Sequence, residues 1–305
     1  MNLPDLPHRA SPMPGAPPPV SVQSLGSGSS GNAFLVRRGD HIVLLDCGVG
    51  IRTINGALRE RGLRLDQIDA ILLTHEHIDH VRTLPRVLGA GMPVIATQGT
   101  FDMITIADNQ WLPIGPRRSI EVAGMSIWSL PVSHDAIEPC GFLIEMPEAC
   151  ITIITDLGSW HERLRGAIAV SDLVVLEANH DDDMLRRGPY PPHLKRRVAS
   201  TVGHLSNHAC GTAISSIAAD GRSEPDVWLA HLSATNNRPR LAEDTVRDAL
   251  VTSNVQLSVT ALPRQEPGPI WAPPIRESRD SYRPYEEPPG AVRSTQLGFD
   301  RLGGC

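Results

Sequence analysis

The chain has 305 residues, 41% of them hydrophobic and 20% charged, enough to bury a sizeable core in one large domain or two small ones. Its longest apolar runs, such as 70–73, fall far short of the roughly 18 residues a membrane span needs, and its opening residues are proline-rich, which argues against a membrane or secreted protein. A net charge of −6 disfavours a polyanion binder unless bound cations offset it, and five scattered cysteines with no CxxC pair argue against a disulfide framework and fit a reducing cytoplasm.

Taken in chain order, residues 1–19 read as a disordered tail, since seven of the 27 prolines fall in the first twenty residues. Strands are expected at 20–25, 33–36 and 41–45. The first two are joined by Gly26-Ser27-Gly28-Ser29-Ser30-Gly31-Asn32, a small-residue turn that brings N–H groups, Ser29, Ser30 and Asn32 close to whatever approaches. A helix at 52–61 leads to a strand at 70–73, and a further strand and helix follow at 93–96 and 98–108. Strands at 126–130, 142–145 and 151–154 precede a helix at 158–167 and a strand at 173–176. Helices at 192–200 and at 207–218, the latter capped by Ser206, lead to a strand at 227–229 and a helix at 240–250. Residues 263–305 hold eight prolines among mixed Arg and Glu and read as a second disordered tail, leaving one domain over 20–262 with a short helical cap at about 178–205. Aromatic residues are only 4%, too few for an extended base-stacking platform.

Histidine collects where strands end. Thr74-His75-Glu76-His77-Ile78-Asp79-His80 follows one apolar strand, Ser133-His134-Asp135 a second, Thr155-Asp156 a third and Ala230-His231 a fourth. Imidazole and carboxylate are the ligands that zinc and similar cations take, and four such side chains directly after Ile71-Leu72-Leu73 have no packing purpose. A loop of the form HxHxDH supplies half of a two-metal site.

These motifs resemble the metallo-β-lactamase superfamily, whose αββα four-layer sandwich, an α/β architecture with two mixed β-sheets, carries an Asp, HxHxDH, a His, an Asp and a His in this order. The resemblance covers about residues 20–260. It implies that His75, His77 and His134 bind one divalent ion, that Asp79, His80 and His231 bind another, that Asp156 bridges them and that Asp46 orients the ligand loop. His77 in place of a Glu keeps the hydrolase pattern rather than the flavodiiron one. The combination of GSGSSGN, LLTHEHIDH, LEANHD, GHLSN and HLSATNN resembles the YycJ/WalJ-type family in particular, which implies exonuclease activity on DNA. The context of Glu177 and His204 is also similar to that of transfer RNA 3′-processing endonucleases, and implies that Glu177 orients His204 as general acid.

The expectation is a hydrolase with two zinc or manganese ions whose bridging hydroxide attacks phosphodiesters in DNA, with Asp79, Glu177 and His204 as catalytic candidates. The 75 residues between Asp156 and His231 leave room for a helical cap but not for a full inserted domain. In that cap Lys195, Arg196 and Arg197, with Arg186 and Arg187, are candidates for gripping phosphate, and His180 for a substrate contact. A small-molecule hydrolase of thioesters, lactones or cyclic phosphodiesters, an RNA-processing nuclease and a non-catalytic metal-binding scaffold are the competing readings.

Overall fold

The computed structural model describes residues 19–89, 92–116, 118–218 and 224–274, together with residue 285 and the backbone of 292–293. Strands β1 (Val20–Gly26), β2 (Ala33–Arg38) and β3 (His41–Leu45) form an antiparallel meander. Helix α1 (Ile51–Arg59) then crosses to β4 (Ala70–Leu72), which lies parallel to β3. The short helices α2 (Ile78–Val81) and α3 (Leu84–Val87) lead to β5 (Val94–Ala96), and α4 (Gln98–Asp102) leads to β6 (Trp111–Pro113).

The second half opens with β7 (Arg118–Val122), β8 (Met125–Pro131), β9 (Cys140–Glu145) and β10 (Cys150–Ile154), all antiparallel neighbours. Helix α5 (Arg165–Val170) connects β10 to parallel β11 (Leu173–Glu177). Helices α6 (Asp182–Arg187), α7 (Pro192–Val198) and α8 (Asn207–Ala218) separate β11 from parallel β12 (Asp226–Ala230). Helix α9 (Pro239–Thr252) precedes β13 (Val259–Ala261), and β14 (Ile270–Trp271) and β15 (Val292–Arg293) close the order.

One mixed sheet has seven strands, in the order β14-β1-β2-β3-β4-β5-β6; the other has eight, β13-β12-β11-β10-β9-β8-β7-β15. Three apolar layers hold them. Phe34, Val36, Leu45 and Leu72 of one sheet meet Ile127, Phe142, Ile153 and Val175 of the other. On the outer faces, Ile54 and Leu58 of α1 pack on the first sheet, and Ile168, Ile214, Val246 and Leu250 of α5, α8 and α9 on the second. Strands β9, β10 and β11 are buried at every residue because a helix covers one face and a sheet the other, which explains their mostly apolar sequences. In α9, Pro239 opens the helix and Ala242, Val246 and Leu250, spaced by four, form its inward stripe. The α/β class and four-layer sandwich expected from the sequence are present.

Some expected elements differ. The helix expected at 98–108 ends at Asp102, where the chain turns so that Phe101 stacks on Trp111 with ring centroids 4.2 Å apart. The helix expected at 158–167 begins only at Arg165, after a 3₁₀ turn. Gly158 stays in the loop because its N–H donates to the Ser133 carbonyl, and a Cβ there would lie 2.4 Å from the Thr201 carbonyl oxygen. Strands β6, β7, β13, β14 and β15 and helices α2, α3 and α6 escape the sequence pattern, most of them being too short to show a period.

Residue 262 is not the end of the ordered domain. Gly268 N–H donates to the Ser24 carbonyl, β14 pairs with β1, and the Trp271 indole donates to Asp226 at 2.8 Å. The prolines there break the hydrophobic pattern without preventing edge pairing, as proline is tolerated beside an edge strand. The expected tail at 1–18, and most of the one beyond residue 274, lie outside the described residues. No helix among the described residues is long and apolar enough to cross a membrane.

Candidate metal centre

Strands β3 and β4 run parallel in one sheet, and β8, β10, β11 and β12 share a direction in the other, so their carboxyl ends open on one edge of the sandwich. Asp46 follows β3, the His75 to His80 loop follows β4, His134 follows β8, Asp156 follows β10, Glu177 ends β11 and His231 follows β12. Asp46 and His231 adopt φ of 59° and 53°, a left-handed backbone uncommon for such residues that persists where surroundings over-determine it. His231 is fixed from both sides, its N–H donating to Ser27 Oγ at 2.9 Å and its carbonyl accepting from Asn179 at 2.8 Å.

Two triads of donor atoms result, His75 with His77 and His134, and Asp79 with His80 and His231, each within 4.8 Å of one another. Asp156 sits between them, its carboxylate 3.2 Å from Nε2 of His80, 3.3 Å from Nδ1 of His231 and 3.7 Å from Nε2 of His134.

Behind these, Asp46 accepts from Nδ1 of His80 at 2.7 Å and from the Thr74 N–H at 2.9 Å. His134 Nδ1 donates to the Gly203 carbonyl at 3.0 Å, leaving Nε2 toward the triad. Glu177 is wholly buried. Its Oε1 accepts from Nδ1 of both His204, at 2.7 Å, and His231, at 2.9 Å, while Oε2 takes the Leu157 and Leu205 N–H groups. His204 lines the cleft, and its Nε2 has no partner among the described residues.

Buried carboxylates and imidazoles hold one another's charge in this cluster. Burial presses the Asp156 carboxyl toward its neutral form, yet the neighbouring His231 and His80 hold it well below the usual carboxylate range. Burial likewise opposes ionisation of Asp79, which His231 and His80 nevertheless keep low. It presses His80 toward neutrality too, but Asp46 and Asp156 raise that imidazole to about 10. His75, by contrast, is pushed well down by burial and by His80 beside it. The buried Nε2 atoms of His75 and His231 lack hydrogen-bond partners among the described residues. Buried polar atoms are rarely left unpaired, and these belong to a nitrogen and oxygen donor set of the kind divalent cations take, so the residues present fit such ions.

The triads open into a cleft of about 230 Å³. Ser29, His77, Asp79, Asp156, His204 and His231 line its floor, and Arg197 its cap side, where it pairs with Asp135. Several sequence candidates lie elsewhere. Asn32 is buried, bonding Ser27, the Gly28 carbonyl and the His80 ring, because the glycine turn folds it under the loop. Ser30 faces solvent and receives Arg82 on its carbonyl. His180 is buried behind the cleft, where its backbone bridges Ser206. Lys195 donates to the Arg186 carbonyl, Arg186 and Arg187 pair with Asp183, and Arg196 is exposed away from the cleft. Sequence reasoning missed Asn179, Ser233, Tyr190, Leu194 and Val198, all of which line the cleft. Asn179 and Ser233 each neighbour a motif residue, a signal that was available; the cap residues carry none. A larger groove of about 640 Å³ runs beside Arg52, Arg59 and Arg64, but Arg64 is paired with Asp66 and no candidate ligand faces it.

The site and fold together define a metal-dependent hydrolase of the metallo-β-lactamase type. The model of the beta-lactamase superfamily domain matches residues 41–223. Exodeoxyribonuclease YycJ of Bacillus anthracis is 32% identical over 232 residues, spanning 74% of this chain and 87% of that protein. Exodeoxyribonuclease WalJ of Streptococcus pneumoniae is 32% identical over 243 residues, spanning 77% and 90%. Among solved structures, the metallo-beta-lactamase fold protein YhfI from Bacillus subtilis superposes with a TM-score of 0.64 at 16% identity, over 83% of this chain and 99% of that one. The chain therefore belongs to the metallo-β-lactamase superfamily and, within it, to the YycJ/WalJ-type family. That fold implies divalent metal ions, commonly zinc.

Proposed function

We propose that the chain is an exonuclease that hydrolyses phosphodiesters at DNA strand ends with two divalent ions, zinc or manganese. His75, His77 and His134 would hold one ion, and Asp79, His80 and His231 the other, with Asp156 shared. When bound, such a pair activates water and neutralises charge on the phosphate. The chain's own groups do the rest. Asp46 and Thr74 fix the His80 tautomer, Glu177 fixes those of His204 and His231, and Arg197 meets a phosphate oxygen at the rim. A water oxygen attacks phosphorus as its proton passes to the Asp79 carboxylate in the cleft, the bond to the leaving oxygen breaks, and Nε2 of His204 gives that oxygen its proton.

The observation that carries this reading is the shared Glu177 oxygen. One carboxylate aligns both a candidate ligand and a cleft-facing imidazole, so an acid stands at a fixed place beside the triads. An alkoxide leaving group needs such an acid. That the YycJ and WalJ relatives are exodeoxyribonucleases supports DNA as substrate. The free, buried thiols of Cys47, Cys140 and Cys210 support a reducing, cytoplasmic setting.

The test is digestion of end-labelled DNA, single-stranded and duplex, by purified protein with manganese or zinc, beside a chelated sample and an Asp156→Ala variant. Stepwise shortening lost in both controls is the expected result. No cleavage with both ions bound points instead to a small-molecule hydrolase.

A further inference from the structure

We propose that Arg82, joined to the Ser29-Ser30 turn at the edge of the cleft, grips the DNA phosphate next to the one being cleaved, on the part of the strand that remains. This rests on the phosphodiesterase reading and adds to it a contact away from the reacting atoms. Arg82 follows His80 by two residues and is exposed. Its Nη1 donates to the Ser30 carbonyl at 2.7 Å, and Ser29, the residue before, lines the cleft. That bond occupies one of the five donors of a guanidinium and leaves others to an incoming anion. Among the described residues no carboxylate pairs with Arg82, nor with Arg86, exposed four residues further on. The cap arginines are different, Arg186 and Arg187 being paired with Asp183 and Arg197 with Asp135. A phosphate must therefore share Arg197 with a carboxylate, whereas at Arg82 it meets a cation that nothing nearby neutralises.

The guanidinium is held at a set place relative to the candidate ligands. Arg82 N–H donates to the Ile78 carbonyl at 2.9 Å. Beside it, Thr83 N–H donates to the Cys47 carbonyl at 2.8 Å and its hydroxyl to the Val49 carbonyl at 2.6 Å. The turn is closed by Gly31 N–H on the Gly28 carbonyl at 2.8 Å, and Asn32 N–H donates to the Asp79 carbonyl at 2.8 Å. The segment that supplies Asp79 and His80 thus carries both the arginine and the anchor of the turn it binds. The Ser29 and Ser30 N–H groups, in the middle of that turn, make no hydrogen bond among the described residues, so neutral donors stand beside the charged one. A guanidinium fork matches two oxygens of one phosphate. Contacts of this kind fix the register of a strand without reading its bases. Held one phosphate back from the scissile bond, the strand reaches a set depth into the cleft.

The experiment is steady-state kinetics on an end-labelled DNA oligonucleotide and on the same strand with an uncharged methylphosphonate at the second linkage from the digested end. Wild type, Arg82→Gln, Arg82→Lys and Arg59→Gln are compared. Arg82→Gln is expected to raise KM about tenfold, the share of one charge-assisted hydrogen bond, with kcat nearly kept. It also lowers by about one the slope of log kcat/KM against log salt. Arg82→Lys keeps that slope and recovers part of the KM, since it restores the charge without the fork. The methylphosphonate raises the wild-type KM about tenfold, with no variant needed, and adds little in Arg82→Gln because both changes remove one contact. Arg59→Gln removes an equal charge from the outer groove and is expected to match wild type. Effects that multiply, an unchanged KM in Arg82→Gln or an equal rise in Arg59→Gln would each overturn the inference while the nuclease reading stands. A wild-type enzyme inactive on every oligonucleotide overturns both.

Discussion

The Asp46 carboxylate accepts a 2.7 Å hydrogen bond from Nδ1 of His80, with both side chains wholly buried. This bond selects the tautomer that leaves Nε2 of His80 toward the triad. Asp46→Asn keeps a residue that tolerates the left-handed backbone, so the variant is expected to fold. Its amide no longer serves as a charged acceptor, and divalent-ion affinity is expected to fall about 10- to 100-fold. Competition with a chromophoric chelator, read beside circular dichroism, checks this.

His204 is expected to matter in proportion to how poor the leaving group is. His204→Ala should lower kcat on DNA by roughly 100- to 10,000-fold, the usual share of a general acid. On a p-nitrophenyl phosphodiester, whose leaving group departs without a proton, the loss should be far smaller. Glu177→Gln should affect both substrates, since it releases His231 as well as His204. Equal losses for His204→Ala on the two substrates would remove it from the acid role.

Gly48 carries the closest backbone approach in the site. A Cβ there would lie 1.5 Å from the Asp79 carbonyl oxygen and 2.7 Å from the Asn32 nitrogen, neither of which can swing aside. Gly48→Ala is therefore expected to displace the Asp79 loop and cost at least about 3 kcal/mol of stability, at the upper end of overpacking. Urea denaturation of the two proteins measures it.

The thiols give an alkaline signature. Burial raises Cys140 to about 12 from the ordinary 9.0, and raises Cys47 and Cys210 as well. The unfolded chain ionises these thiols first, so stability should hold below about pH 9 and decline as pH rises toward 12. Urea midpoints across that range, compared with a Cys140→Ala variant, should show a shallower decline in the variant. At neutral pH an aromatic disulfide reagent should modify none of Cys47, Cys140, Cys150 and Cys210 until denaturant is added.

The grouping of the histidines and aspartates is legible in the sequence because each closes an apolar strand, and strands of one direction end on one edge. The cap wall is not. Tyr190, Leu194 and Val198 have no chemical signature, and only the packing of α7 and the loop before it brings them to the cleft. Asn32 and His180 show the opposite failure, since donor-type side chains near a site need not face it. Asn32 is spent on holding its own turn. Composition also misjudged residues 263–274, because proline content reports lost helix and ladder donors and says nothing of edge contacts made by Trp271.

Arg264 gives that last segment a second consequence. Its guanidinium donates to the Leu232 and Asn237 carbonyls, and its stem lies against Gly28, so one side chain joins the loop after His231 to the glycine turn. An expression boundary drawn at residue 262 would delete this clasp and strip β14 from β1. Such a shortened protein would keep every candidate ligand, yet bare a sheet edge prone to self-association and slacken the loop that aims His231.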